Sequence, residues 1–438
     1  MLYTSVTIAN ILADHKQDLF SNRSTSELHR IADYSTHMRT PEVSVVTGVR
    51  RCGKSTFLRQ IGVAFSNQGN IHYINFEDQR LSRFHVDDFR IFFQEFLLKV
   101  DQQQPILIIY DEIQVVEEWE RWVAELSSKK SYKVFISGSN AKLLSSELAT
   151  LLTGRHRDIH LWPLSFAEIV QNNFRVGNVE EVTTDQSTSA IVEKRKLFES
   201  YLTYGGFPRA FLDQDCTILR QYFSDILLKD IIARKRIRHI DAVQEVGSLL
   251  CSTNSRIFSK RKTATQTLGI NLLTVTKFCD YFVDSYLFSE IKLFSRSKRK
   301  QIAGRSKFYC VDPLVAKQTG FYYSNDSKYW ILENHICNEL LRRGMQVHYW
   351  HSRDGYEVDF IATSTNGRRI AIQSAVSLDN PEARSREIRA LKHAMNELDI
   401  NQLLIITENT AETIPLENTV ISVIPFYDWA LGFGRDHE

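Results

Sequence analysis

An apolar run, Val43 to Val46, leads into Gly48-Val49-Arg50-Arg51-Cys52-Gly53-Lys54-Ser55 and then Thr56-Phe57-Leu58-Arg59-Gln60, so the chain reads here as strand, glycine loop, helix. That order commits it to an α/β fold with the loop at the carboxyl end of a strand. Glycines let the backbone pass close to an anion and point successive N–H groups at it, and the following helix adds its positive end. In this reading the stretch Gly48 to Thr56 wraps phosphates, Lys54 lies over the β- and γ-phosphates, and Ser55 gives its hydroxyl oxygen to Mg²⁺. A glycine turn can match such a pattern by chance, and a second motif argues against chance.

Pro105-Ile-Leu-Ile-Ile-Tyr110-Asp111-Glu112 is a continuous apolar run ending in two adjacent carboxylates, the pattern of a strand buried on both faces. At the strand tip Asp111 would hold the metal, and Glu112 would polarise a water for in-line attack on the γ-phosphate. An acidic pair can also simply solvate a strand end. Together the two motifs imply ATP, Mg²⁺ and hydrolysis.

The flanking sequence alternates strands and helices, as a mostly parallel sheet covered on both faces requires. Ile71 to Phe76 and Tyr132 to Ile136 read as strands, and Phe89 to Val100 and Trp119 to Leu126 as helices. Ser139 or Asn140, just past the Tyr132 strand, is placed to sense the γ-phosphate or the attacking water; a plain helix N-cap is the alternative. Arg155, against the glycine of Thr153-Gly154-Arg155-His156-Arg157, is a candidate for stabilising phosphoryl charge in its own or a neighbouring subunit. Equally, these arginines could pair with carboxylates such as Asp158 or Glu168.

Composition narrows the class. A chain of 438 residues exceeds what one core normally serves, and a net charge of +2 names no partner by itself. No apolar run approaches the roughly 20 residues that cross a bilayer, and the first residues lack a basic stretch followed by an apolar core, so a cytoplasmic protein without membrane contact is expected. The six cysteines show no CxxC or Cys/His cluster, which argues against disulfides and structural zinc. Cys52 alone, beside a helix start and Arg50, Arg51 and Lys54, is placed where a thiolate would be favoured; an incidental small side chain is the simpler reading.

GVRRCGKST, YINFED, ILIIYDEIQ, ISGSNAKLL, LLTGR, PLSFAEI and YGGFP, in that order and spacing, resemble a large prokaryotic family of AAA-superfamily ATPases with a C-terminal region of the DUF4143 type. The resemblance covers nearly the whole chain. It implies an additional-strand P-loop core over residues 1–175, a helical lid and winged-helix domain over 190–320, and an α/β restriction-endonuclease-like domain over 325–438. It implies no cellular role.

The middle residues carry signals of their own. Gly177 to Ser189 reads as a surface loop, and Tyr204-Gly-Gly-Phe-Pro208 as a sharp turn, a pivot or merely a packed corner. Ser259 to Val283 has the order helix, glycine turn, helix, and Leu287 to Phe294 and Lys307 to Val311 read as a hairpin around a very basic connection. Lys298, Arg299 and Lys300 on that connection could neutralise phosphates, which makes nucleic acid, DNA above all, the natural partner; a solvated loop or a protein partner remains open.

In the last third, the nuclease pattern that the family resemblance implies needs an Asp and a Glu-x-Lys pair. Asp359 fits the first position, but Gln373 stands for the carboxylate and Ala375 for the lysine. Two of the three groups that bind metal or activate water are gone, so the domain reads as catalytically silent unless Lys392 or Arg386 substitutes in space. The chain thus reads as an ATP-dependent switch or motor acting on nucleic acid. An ATP-gated nuclease and an ATP-controlled signalling or defence scaffold, with self-association open, are the alternatives.

Overall fold

The computed structural model describes residues 3–21, 28–129, 131–139, 155–174, 187–297, 299, 301, 305–321, 327–417 and 419–432. They fall into two compact units: the chain up to Trp162 with Asp284–Tyr286, and Pro163–Val283 with Leu287 onward.

The first unit is built on strands β1 (Val43–Thr47), β2 (Asn70–Asn75), β3 (Ile106–Asp111), β4 (Tyr132–Gly138) and β5 (His156–His160), in the order β2-β3-β4-β1-β5. Every pairing is parallel. β4 lies between β1 and β3, so the glycine loop after β1 and the carboxylates ending β3 open at the same edge, flanking the end of β4. β3 is buried along its whole length, which its unbroken Ile-Leu-Ile-Ile-Tyr run dictates.

Aromatic side chains fill one face of this sheet. The helix Asp88–Leu97 buries Phe89, Phe92, Phe93 and Phe96, spaced to form one stripe. They pack with Phe76, Tyr110 and Trp122 in a single core. Each such phenylalanine contributes about 1.5–3 kcal/mol by burial. Trp122 Nε1 donates to the Tyr110 hydroxyl at 3.0 Å, so that hydroxyl is satisfied inside the core.

β5 escaped the sequence reading, which saw only a glycine turn followed by arginines. Its sequence, His-Arg-Asp-Ile-His, buries Ile159 alone, yet it pairs with β1 in continuous register from Val43↔His156 to Thr47↔His160. An edge strand needs hydrogen bonds more than apolar side chains, so hydrophobic periodicity does not reveal it.

The second unit contains a nine-stranded sheet in the order β13-β14-β12-β11-β10-β9-β7-β8-β6. Its strands are β6 (Ile257–Phe258), β7 (Phe288–Leu293), β8 (Ser306–Cys310), β9 (Gln346–His351), β10 (Glu357–Thr363), β11 (Arg369–Ala375), β12 (Gln402–Thr407), β13 (Glu412–Pro415) and β14 (Val420–Pro425). The expected helix, turn, helix and hairpin are present as a helical stretch from Lys260 to Leu268, Gly269 in the left-handed region, the helix Leu272–Asp284, and β7 with β8. β7 also pairs in parallel with β9 through Lys292↔His348, so strands from both sides of the expected boundary at 320–325 share one sheet.

The Tyr204–Pro208 turn is bolted down. Gly205 has φ of 80°, and a Cβ there would meet Asp312 Oδ2 at 2.5 Å. Gly206 N donates to the same oxygen at 2.7 Å, and Leu164 N donates to Gly206 O at 2.7 Å. The packed-corner reading describes it better than a pivot.

Candidate functional site

The glycine loop has the shape that its sequence requires. Gly48 has φ of 146°, and a Cβ there would lie 2.1 Å from Leu161 O, so only glycine fits. Gly53, at φ of 102°, opens the helix Lys54–Phe65. Behind the loop a buried residue that the sequence reading missed holds it in place. Arg30 donates from Nη1 to Cys52 O at 2.6 Å and from Nη2 to Trp162 O at 2.7 Å, while its backbone N–H donates to Gln60 Oε1 at 3.1 Å. Partners 22 and 132 residues away leave no local signal.

Lys54 lies buried at the centre. Its ammonium donates to Gly48 O at 3.1 Å and Val49 O at 3.3 Å, and stands 3.5 Å from Glu112 Oε1. Burial works against the charge, but Glu112, Cys52 and Asp111 outweigh it and hold the pKa above the usual lysine value. Glu112, in the left-handed region at φ of 53°, also accepts from the Gln114 amide. Burial opposes its charge too, yet Lys54 and Arg50 keep its pKa below the ordinary glutamate value.

Asp111 behaves differently. Burial first, then the adjacent Glu112, pushes its pKa up, against the hydroxyls of Ser137 and Ser55. Its Oδ1 accepts from Ser137, while its Oδ2 is buried with no hydrogen-bond partner. Ser137 Oγ also accepts from Glu112 N at 2.9 Å. Ser137, on β4 itself, therefore links the Asp111 carboxylate to the Glu112 backbone. Ser139 is buried at the next step, and Asn140 lies outside the described residues.

The remaining expectations sort clearly. Arg50 pairs with Glu77 at 2.9 Å, and Arg51 is exposed at φ of 69°. Cys52 is fully buried, and that burial raises its thiol pKa despite Lys54 and Arg30, so the helix start and nearby cations do not favour a thiolate there. Arg155 is exposed, and its carbonyl accepts from Val43 N at 3.0 Å at the start of β1. One five-residue strand, roughly 16 Å, separates that point from the glycine loop, so Arg155 does not reach the pocket of its own chain. Arg157 stands 3.5 Å from Glu42, a carboxylate pairing as the alternative supposed, with a different partner.

Tyr286 adds an aromatic ring beside the loop. At φ of 60°, it sits 4.6 Å from the His160 ring, and His160 Nδ1 lies 3.1 Å from the hydroxyl of Thr47, the residue before Gly48.

A family model described as an AAA domain matches residues 40–170. Two models of domains of unknown function, DUF8612 and DUF4143, match 195–319 and 330–429. An uncharacterized protein of Methanocaldococcus jannaschii is 31% identical over 411 residues, covering 90% of this chain and 89% of that one. A second, from Haemophilus influenzae, is 31% identical over 408 residues, covering 90% and 95%. The chain belongs to their family, AAA-domain proteins with a C-terminal DUF4143 region. Among solved structures, a Cdc6p from Pyrobaculum aerophilum aligns at a TM-score of 0.26 and 11% identity over 69% of this chain and 97% of that one, too loosely to carry argument.

The DUF4143 region contributes a second charged cleft, of 620 Å³. Asp359 lies on β10 and Gln373 on β11. Gln373 is fully occupied: its Oε1 accepts from Asp359 N at 2.8 Å, and its Nε2 donates to Glu387 Oε2 at 2.5 Å and Glu357 O at 3.1 Å. Ala375 is buried, Lys392 is exposed away from the cleft, and Arg386 lines it, paired with Glu387 at 2.6 Å. The lysine inside comes from β8, which the sequence reading assigned only to a hairpin. Lys307 Nζ stands 2.8 Å from Glu357, 3.2 Å from Glu333 and 3.9 Å from Asp359. Among the described residues no three His, Cys, Asp or Glu side chains are arranged to hold a metal ion. Nor is any described helix long and apolar enough to cross a membrane.

Proposed function

We propose that this AAA-domain protein binds and hydrolyses Mg-ATP in the glycine-loop pocket and uses nucleotide state to change its hold on nucleic acid. The observation that carries the first half is Asp111 Oδ2, buried without a hydrogen bond between Ser55 and Ser137. A hard cation satisfies such an oxygen, so Asp111 and Ser55 would hold a Mg²⁺, which would offset the negative charge of the phosphates. Lys54 is held by two carbonyls and a carboxylate, partners it can exchange for phosphate oxygens. Once Lys54 turns to phosphate, Glu112 keeps Gln114 and is free to accept a proton from an attacking water.

Calorimetry of the full chain with Mg-ATP tests this directly. Saturable heat whose affinity falls by about 10–100-fold in Lys54→Ala supports it; no heat from wild type ends the reading. The nucleic-acid half draws on the helix–turn–helix and hairpin, with Lys298, Arg299 and Lys300 on the connection. Arg299 is exposed, and the two lysines lie outside the described residues. We take the DUF4143 cleft as catalytically silent, because Gln373 is spent on internal bonds. Arg155 would serve a neighbouring copy, which mass measurement with a slowly hydrolysed ATP analogue would test.

One observation favours an ATP-gated nuclease as a second reading: Lys307 stands 3.9 Å from Asp359. Plasmid nicking with Mg²⁺ and ATP, lost in Asp359→Asn, would support it; intact plasmid beside measurable ATP turnover would remove it.

A further inference from the structure

In the second unit, a groove of 740 Å³ runs between the helical stretch beginning at Lys260, the helix Leu272–Asp284 and the β7–β8 hairpin. Five cations line it, Lys260, Arg261, Lys262, Lys292 and Arg305, against two carboxylates, Asp280 and Glu290. One carboxylate is already committed. Glu290 accepts from Lys260 at 2.8 Å and from Ser306 at 2.6 Å, and Lys260 and Ser306 hold its pKa below the ordinary value against the effect of burial. Four cations then face Asp280 alone.

Those four, Arg261, Lys262, Lys292 and Arg305, are exposed, and none forms an ion pair among the described residues. Several surface cations elsewhere in the chain do find carboxylates. Arg80 pairs with both Asp14 and Asp78, Arg384 with Glu412, and Arg209 with Asp213. Unpaired like charges on one concave face repel one another, a cost that a polyanion laid across them removes.

We infer that this groove is a docking surface for the sugar-phosphate backbone of duplex DNA, contacted by Arg261, Lys262, Lys292 and Arg305. The inference rests on the nucleic-acid reading above and moves its centre from the hairpin connection to the groove. Phosphate recognition follows from the charge. Duplex rather than single strand follows from the lining: its one aromatic ring, Phe258, is buried, so no platform is offered on which unpaired bases could stack. Gln266 supplies a neutral amide between the cations, suited to phosphate oxygens or groove edges, while the hydroxyls of Thr265 and Thr276 already donate to Arg261 O and Leu272 O.

The test uses the full chain and a short random-sequence duplex, with binding followed by fluorescence anisotropy from about 50 to 200 mM salt. Wild type should bind with a steep salt dependence. Arg261→Glu/Lys262→Glu/Arg305→Glu should weaken binding by roughly 100-fold and flatten the log–log salt slope by about two to three. Reversing three exposed cations of the first unit, Lys16→Glu/Arg83→Glu/Lys99→Glu, should leave binding within about threefold, which separates the groove from net charge. Should the reversal variant melt early, Arg261→Gln/Lys262→Gln takes its place, with an expected loss of about tenfold.

Duplex binding by wild type that persists in the groove variants overturns the groove while leaving the nucleic-acid reading to another surface. Tighter binding to a single strand than to duplex overturns the choice of partner. No binding at the lowest salt sinks both this inference and the nucleic-acid reading, whereas the ATP reading stands or falls on calorimetry of the same preparation.

Discussion

Two of the buried lysines stand among carboxylates at the two candidate sites, one in each unit, and they do opposite things. Lys54 has one carboxylate at 3.5 Å and spends its other donors on the carbonyls of Gly48 and Val49. Lys307 has three carboxylates within 3.9 Å, and one of them, Glu333, also accepts from the Tyr309 hydroxyl at 2.7 Å. Both lysines are held above the usual pKa by carboxylates that outweigh burial, Glu112 leading in one case and Glu333 in the other. The difference lies in what else is satisfied. Around Lys54 the neighbouring Asp111 keeps an oxygen without a partner, whereas around Lys307 the carboxylates already share an internal cation. The first lysine is poised for an incoming anion; the second completes its own site.

The sharpest way to break this comparison is Lys307→Met. Removing a buried cation leaves Glu333, Glu357 and Asp359 facing one another, a loss of about 3–5 kcal/mol. At about 2–4 °C per kcal/mol, thermal melting followed by circular dichroism should drop by about 6–20 °C. An unchanged melting point would mean that the three carboxylates do not depend on Lys307.

Next in size is Glu112→Gln. Steady-state phosphate release should fall by about 10²–10⁴-fold, as loss of a general base predicts, with Mg-ATP still bound. Undiminished turnover would remove Glu112 from its role. Lys54→Ala should instead act on affinity, weakening Mg-ATP binding by about 10–100-fold through lost charge-assisted hydrogen bonds. If it changed stability as Lys307→Met does and left calorimetric affinity alone, the two lysines would be the same kind of residue.

Gln373→Glu probes the latch beside Lys307. A carboxylate cannot donate to Glu387 and Glu357 O, so stability at neutral pH should fall by about 1–2 kcal/mol. Acid should restore part of it as the new group protonates. Denaturant midpoints at two pH values would read both effects.

Much of the first site could be read from residues alone, because a glycine loop and an acid-tipped apolar strand are local patterns with one structural solution. Gly48, Lys54, Asp111 and Glu112 needed only their neighbours in sequence. Arg30, Ser137 and Tyr286 did not stand out, since each acts across tens of residues or more through a contact without local periodicity. β5 was missed because an edge strand can be held by backbone pairing with a single buried side chain. The second cleft defeated the reading for a related reason: its lysine arrives from β8, far upstream of Asp359, where a motif search would have placed it two positions after Gln373. Composition could not show the basic groove either, because a net charge of +2 says nothing of where in the fold cations converge.

The smallest expected effect is one of slope. Partial burial, then Glu333, pushes the Asp359 carboxyl well above the usual carboxylate range, against the pull of Lys307. A group whose folded pKa lies above its unfolded value holds its proton longer in the fold, so its contribution to stability is complete below the unfolded pKa and fades as pH rises through the folded one. Glu112 has the reverse sign. Its folded pKa is depressed by Lys54 and Arg50, so its contribution is present above the unfolded pKa and is lost as pH falls. Asp359→Asn should therefore remove a decline in stability that begins above about pH 4, the ordinary aspartate value, while Glu112→Gln should remove a decline on the acid side. Denaturant midpoints across that range would separate them. Two variants that flattened the curve on the same side would mean that the carboxylates around Lys54 and Lys307 share one electrostatic balance, and the contrast between a poised lysine and a self-contained one would be lost.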